Sequence, residues 1–172
     1  MQHMFSRVAT YSFLFGIFTL WSNLSFAGTT IWNPNPEIVK YRQCFMKAAH
    51  DFHVPVLVLE AIADVEHGRT GLVKVNKNGT KDYGIMQINS QWIPVFGRYI
   101  PGIKGEHLAR NSCLNIWLSA FILKNEIRRA KGNIWLAVGR YHSPTRWRQR
   151  NYVYKVATAY VIRGGRFSLA SR

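Results

Sequence analysis

The 172-residue sequence predicts a mainly α-helical domain with one small β-hairpin, and three stretches predict it. Pro55 to Gly68 brackets an apolar helix: proline suits a first helical position and glycine the residue just past a helix end. Between them Val58, Ile62 and Val65 recur at spacings of four and three, with Leu59 alongside, forming one apolar face. Ser112 to Arg129 is apolar on nearly every side, the pattern of a helix in the middle of a domain. Val73 to Ile88 reads as two extended runs around Asn78-Gly79, the dipeptide of a two-residue type I′ turn.

In chain order, Met1 to Arg7 carries one arginine and no acid, and Val8 to Trp21 is mostly apolar. Ser25-Phe26-Ala27 then offers small residues where a signal peptidase reads them. Residues 1–27 are therefore expected to be a signal peptide that directs the rest to the periplasm. The apolar run is shorter than the roughly 20 residues of a permanent span. No stable membrane span is expected after cleavage, a retained anchor being the alternative.

Residues 28–40 read as a lead-in loop, 41–165 as one domain and 166–172 as a basic tail. Tyr41 to His53 places Cys44, Phe45, Ala48, Ala49 and Phe52 at helical spacing. Cys44 and Cys113 are the only cysteines, and in an exported chain an even pair is most simply a disulfide, two free buried thiols being the alternative. No metal or organic cofactor is implied, since two cysteines without a nearby histidine pair do not make a zinc site.

Glu66 follows Ile62 by four residues, at the edge of the apolar face and in the last helical turn. Burial beside aliphatic side chains and the negative end of the helix dipole both disfavour its charge. A carboxylic acid that keeps its proton near neutrality is what general-acid cleavage of a glycosidic bond requires. The structural alternative is a surface carboxylate paired with Arg69. A hairpin turning at Asn78-Gly79 carries its second strand back toward this helix end. Asp82 and Gln87 are then expected to line a cleft facing Glu66, with Gly84 admitting close backbone approach to a ligand. Asn89 or Ser90 suits the cap of a following short helix.

Beyond the hairpin, Pro94, Gly97, Pro101 and Gly102 break residues 91–105 into turns. Of Trp92, Phe96 and Tyr99, two are expected in the core. Asn133 suits the cap of a short helix through Val138, leading into a turn at Tyr141-His142-Ser143-Pro144. A last helix from Arg146 to Ile162 places Tyr152, Val156, Ala159 and Tyr160 on one face and stops at Gly164-Gly165.

Charge gives an independent constraint. There are 23 Lys and Arg against 8 Asp and Glu, a formal net charge of +15, and only Arg7 of the basic residues lies in the first 27. Such a balance suits an anionic polymer or surface: nucleic acid, anionic lipid, or peptidoglycan with its peptide carboxylates. Export argues against nucleic acid, and the basic residues are not set in a DNA-binding motif.

Two motifs, Ala61-Ile62-Ala63-Asp64-Val65-Glu66-His67-Gly68 and Gly84-Ile85-Met86-Gln87-Ile88-Asn89, together resemble the specialised lytic transglycosylases (the SLT domain) of the lysozyme-like superfamily. Asn115-Ile116 and Ala137-Val138-Gly139-Arg140-Tyr141-His142-Ser143 resemble the family's later motifs. The resemblance covers roughly Tyr41 to Val161. It implies a lysozyme-like fold and cleavage of the β-1,4 bond between N-acetylmuramic acid and N-acetylglucosamine, with Glu66 catalytic. It also implies a substrate-binding set of Gly84, Met86, Gln87, Asn89, Asn115, Tyr141, His142 and Tyr152, with Tyr152 bracing Glu66. Members accompany conjugation, type III secretion and pilus machines, so components of such an apparatus are expected partners of a monomeric enzyme.

Two departures stand out. His67 occupies the place of the family's serine after the catalytic Glu. Asp82 sits where the similar Asp-Tyr-Gly-Ile-x-Gln-Ile-Asn-Ser string of animal c-type lysozymes carries a second catalytic carboxylate. The implied alternatives are a hydrolase using Asp82 and, from another class, a non-catalytic wall-binding scaffold.

Overall fold

The structure, a computed structural model, describes residues 33–167. The expected signal segment lies outside the described residues, as does most of the basic tail. Eight helices and a three-stranded sheet are described: α1 (Glu37–Lys40), α2 (Arg42–Phe52), α3 (Val56–Glu66), β1 (Val73–Val75), β2 (Lys81–Tyr83), β3 (Ile88–Asn89), a 3-10 turn (Ser90–Trp92), α4 (Ile93–Phe96), α5 (Gly105–Arg110), α6 (Ser112–Arg129), α7 (Ile134–His142) and α8 (Arg146–Ile162). This is the mainly α, lysozyme-like arrangement with its small sheet beside the helix that ends in Glu66. No helix among the described residues is long and apolar enough to cross a membrane.

The core follows from the apolar faces. Leu59, Ala61, Ile62 and Ala63 of α3 are fully buried, and α3 packs on α8 through Val156 and Ala159. Ile116, Ala120 and Leu123 line the buried side of α6, which packs against α2 and α7. Each large aliphatic side chain buried in this way contributes roughly 1.5–3 kcal/mol. Cys44 on α2 and Cys113 on α6 form a disulfide with Cα atoms 5.2 Å apart, closing a separation of 69 residues. On the chain-entropy account such a closure contributes about 4 kcal/mol.

Several details differ from the sequence expectation. Residues 28–40 are not all loop, because Glu37–Lys40 is helical and Asn35 is buried. The hairpin has three strands, β2 pairing antiparallel with both β1 and β3. Its turn is longer than the type I′ turn: Asn76 N–H donates to the Thr80 carbonyl and Gly79 N–H to the Asn76 carbonyl. Gly79 has a positive φ of 80° whereas Asn78 does not. A type I turn with one left-handed glycine replaces the dipeptide turn, because the loop spans three residues rather than two.

Pro55 sits just before α3 rather than in it, and the helix ends at His67, whose φ is 49°. Gly68 is needed for another reason. A Cβ there would lie 2.1 Å from the Gly84 carbonyl oxygen and 2.5 Å from that of Ile85, so only glycine lets the helix end touch the sheet connection. α7 runs through His142, one turn beyond the expected end, so Tyr141 and His142 are helical rather than in a turn. α5 interrupts the expected run of turns, and among the three aromatics only Phe96 is fully buried. Trp92 stacks half-buried on it, with centroids 5.9 Å apart, while Tyr99 is 70% exposed.

An unexpected polar cluster fastens α3. Asp64 is fully buried, Glu60 nearly so, and both face Arg163 at the end of α8. Arg163 Nη2 donates to Asp64 Oδ1 at 2.8 Å, its Nε also donates to Asp64, and Nη1 reaches Glu60 Oε2 at 3.3 Å. Asn35 N–H donates to Asp64 as well (2.8 Å), while the Asn35 amide donates to the Gly68 carbonyl at 2.8 Å. Removing one partner of a buried pair strands the other's charge, a cost of about 3–5 kcal/mol. Arg163→Met is therefore expected to lower unfolding stability at pH 7 by about 3 kcal/mol, measured by chemical denaturation. An effect below about 0.5 kcal/mol, the size of an ordinary surface substitution, would show that the cluster does not hold the two helices together.

Candidate active site

The C-terminal end of α3 delivers Glu66 to the surface between the sheet and α8. The carboxyl is part-buried, and Tyr152 on α8 donates its hydroxyl to Glu66 Oε1 at 2.6 Å. Tyr152 is in place because it precedes Val156 and Ala159 on the buried face of α8, one and two turns ahead of them. Desolvation is the main reason that Glu66 is pushed up to about 7. The charge of Asp82 adds to the rise, whereas the Tyr152 hydrogen bond and the Lys74 and Lys155 cations oppose it. Glu66 has no ion pair with Arg69, so the surface-pair alternative does not describe this residue.

Asp82 lies on β2 opposite Asn89 of β3. Its two oxygens are held separately: Asn89 Nδ2 donates to Oδ1 at 2.7 Å and Asn76 Nδ2 to Oδ2 at 2.9 Å. Asn89 is fully engaged, since it also donates to Thr80 and accepts from Gln91 N–H as the cap of the 3-10 turn. It orients the second carboxylate, and its own polar atoms are spent within the protein.

The Gly84–Gln87 turn reaches the site as backbone. Gly84 has φ 69°, and a Cβ on it would meet the Leu108 carbonyl at 2.5 Å and the Asn115 side chain at under 3 Å. The close approach that requires this glycine is thus to α5 and α6 rather than to a ligand. Gln87, itself at φ 47°, donates from Nε2 to the Gly84 carbonyl at 2.8 Å and braces the turn. Two other expected sugar contacts are interior. The Met86 side chain is fully buried. Asn115, also fully buried, accepts from Met86 N–H at 2.8 Å and donates to the Tyr83 and Leu108 carbonyls at 2.9 and 3.0 Å. Both of its amide hydrogens are used inside the protein, and the side chain is out of reach of solvent. Asn115 instead bolts the sheet connection to α6.

Tyr141 and His142 complete the surroundings of Glu66. The Tyr141 hydroxyl is directed to Ser119 Oγ (3.1 Å) and the Met86 carbonyl (3.4 Å), so Tyr152, not Tyr141, orients the carboxyl. Burial, reinforced by the Glu66 charge, pushes Tyr141 far above the usual phenol range, and it stays protonated. His142 lies flat on the Tyr152 ring, with centroids 4.2 Å apart and planes 3° from parallel. Desolvation, with the Arg148 and Lys155 charges, lowers its pKa, so the imidazole is neutral at pH 7. The structure therefore gathers Glu66, Asp82, Tyr141, His142 and Tyr152 in one neighbourhood, supported by Gln87, Asn89 and Asn115. Sequence reasoning missed Asn76, whose amide holds Asp82, and Ser119. Asn76 sits beside the predicted turn dipeptide, but nothing in its local sequence marks that bond. Among the described residues no group of His, Cys, Asp and Glu is disposed to hold a metal ion.

Comparison with known proteins agrees with this arrangement. Residues 43–161 match the family described as the transglycosylase SLT domain. Protein IpgF of Shigella flexneri is 39% identical over 103 residues, which cover 59% of this chain and 66% of IpgF. The X polypeptide of Escherichia coli is 32% identical over 124 residues, 72% of each protein. Invasion protein IagB of Salmonella typhimurium strain SL1344 is 30% identical over 106 residues, 61% of this chain and 64% of IagB. The matched region thus spans just under two-thirds of IpgF and IagB. With a family match over most of its described residues, the chain belongs to the transglycosylase SLT family.

Proposed function

We propose that this domain is a lytic transglycosylase that cleaves the β-1,4 bond between N-acetylmuramic acid and N-acetylglucosamine in peptidoglycan. The observation that carries the proposal is Glu66: a part-buried carboxyl, oriented by Tyr152, raised to about 7 and without an ion pair among the described residues. In its protonated form Glu66 gives its proton to the glycosidic oxygen as the bond to C1 breaks and oxocarbenium character develops. The resulting carboxylate then takes the proton from the muramyl 6-hydroxyl, whose oxygen closes onto C1. Glu66 ends reprotonated, and the product carries a 1,6-anhydro end. Tyr152 serves both steps, holding the carboxyl in one orientation while its charge comes and goes.

Asp82 supports this reaction electrostatically. With each oxygen engaged by an asparagine amide, its carboxyl is held in one orientation beside the reacting centre. The family relationship and the basic balance of the chain support a site of action outside the cytoplasm, at the wall. There it makes local openings for a secretion, conjugation or pilus apparatus, in keeping with the similarity to IagB, an invasion protein.

Mass spectrometry of the soluble products from purified peptidoglycan tests the reaction. Fragments one water lighter than reducing muropeptides are expected. Reducing ends would instead make Asp82 the working second carboxylate of a hydrolase, and binding without any release would leave a wall-binding scaffold.

Glu66→Gln is expected to abolish release. The same substitution carries a stability signature. A carboxyl whose folded pKa is raised destabilises the fold as pH rises from its unfolded value near 4.5 to about 7, and by a constant amount above that. Glu66→Gln should therefore match wild type at pH 4 and be more stable at pH 8, by on the order of 1–2 kcal/mol for this part-exposed group. Equal stability at both pH values would refute the raised pKa.

The pH profile gives a second check. Since the acid step needs protonated Glu66, kcat/KM should fall above a limb near pH 7. Tyr152→Phe removes a hydrogen bond that favours the carboxylate and should move the limb to higher pH. Asp82→Asn removes a like charge and should move it lower. Shifts in the same direction, or none, would overturn this account of how Glu66 is set.

A further inference from the structure

A cavity of about 400 Å³ opens beside Glu66 on the α8 side, away from Asp82's sheet. Besides Glu66 and His142 it is lined by Trp147, Arg148, Asn151 and Lys155, all exposed and all carried on the first three turns of α8. Neither cation has a carboxylate partner within 4.0 Å among the described residues. Arg148 lies over the Trp147 ring, 5.3 Å from its centroid, so the guanidinium is partly fixed with its edge donors free. Trp147 is 62% exposed, a large apolar plate held open to solvent. The first turn of α8 carries no acidic residue that would answer these charges.

A glycan strand alone gives little reason for such a lining, since its hydroxyl and acetamido groups carry no charge. The muramyl unit differs from its neighbour in one group, the lactyl ether at O3. It ends in a carboxylate or continues into a peptide that bears carboxylates. Resting on the transglycosylase reading above, we infer that the Trp147–Arg148–Asn151–Lys155 cavity is a subsite for the carboxylates carried by the muramyl lactyl group. Arg148 and Lys155 pair with the anion, Asn151 donates to it, and Trp147 covers its aliphatic part. The site then selects which sugar of the alternating strand lies next to Glu66.

A second consequence agrees with this. Lys155 favours the charged form of Glu66, which works against a general acid. An anion seated on Lys155 cancels that influence at the moment substrate arrives, so the acid is best protonated when it is needed.

The test separates binding from turnover. Calorimetric titration of the inactive Glu66→Gln protein is made with two soluble tetrasaccharides of the wall, one with peptide stems and one with free lactyl carboxylates. The titrations are repeated with Arg148→Gln and Lys155→Gln added together, a pair of exposed positions whose folding is checked by circular dichroism. Kd is expected to rise at least tenfold, and the wild-type affinity to weaken with salt. A rise confined to the stem-bearing ligand assigns the peptide carboxylates; a rise confined to the ligand without stems assigns the lactyl carboxylate, which the stem converts to an uncharged amide; a rise on both shows that the subsite takes either anion. Unchanged Kd on both overturns the subsite. If the subsite holds while the enzyme with Glu66 intact releases nothing from whole wall, the cleavage reading fails by itself.

Discussion

A carboxyl group placed where its own helix opposes its charge is the constraint from which most of this structure follows. Glu66 ends α3, so the backbone carbonyls of the last turn face it with partial negative charge, and its aliphatic surroundings deny it water. Such a group is unstable in the ionised form and must be held against both relaxation and solvation. The tyrosine that holds it comes from a helix 86 residues further along the chain, so the position of α8 against α3 sets how the carboxyl is oriented.

That position is secured away from the reacting end. Arg163 closes α8 onto Asp64 and Glu60, two and six residues before Glu66 on the same helix. Asn35 ties the segment before α1 to the same carboxylate and to the carbonyl of Gly68. On the other side Asn115 carries the Tyr83–Met86 connection on α6, and the glycine pair Gly68 and Gly84 lets helix end, sheet and α5 meet at backbone distance. The site is thus built from three chain segments held by saturated hydrogen-bond sets, with little freedom left to the carboxyl.

The parts legible in the sequence were those with short-range signals. The α3 and α6 patterns, the caps at Asn89 and Asn133, and the end of α8 at its glycines all follow from local chemistry. Glu66 was legible because helix end and apolar face coincide there. What stayed hidden depends on partners distant in sequence. Arg163 meets Asp64 across 99 residues, and the Tyr141 hydroxyl finds Ser119 on α6 and the Met86 carbonyl. Asn115 and Met86 belong to a motif that resembles a binding site, yet both turn inward, because a motif records the residues a site needs without saying which of them touch the ligand.

The sheet itself has an exposed flank. β1 is its outer strand, and all three residues are exposed, Val75 at 66%. Among the described residues one row of its backbone groups has no strand beside it, the geometry through which extended chains recruit one another into aggregates. The defence is brevity and charge: three residues only, Lys74 at the centre, with Lys77 and Lys81 in the turn and on the neighbouring strand. These lysines therefore keep copies of the protein apart from each other, and replacing them with apolar residues would trade solubility for a sticky edge.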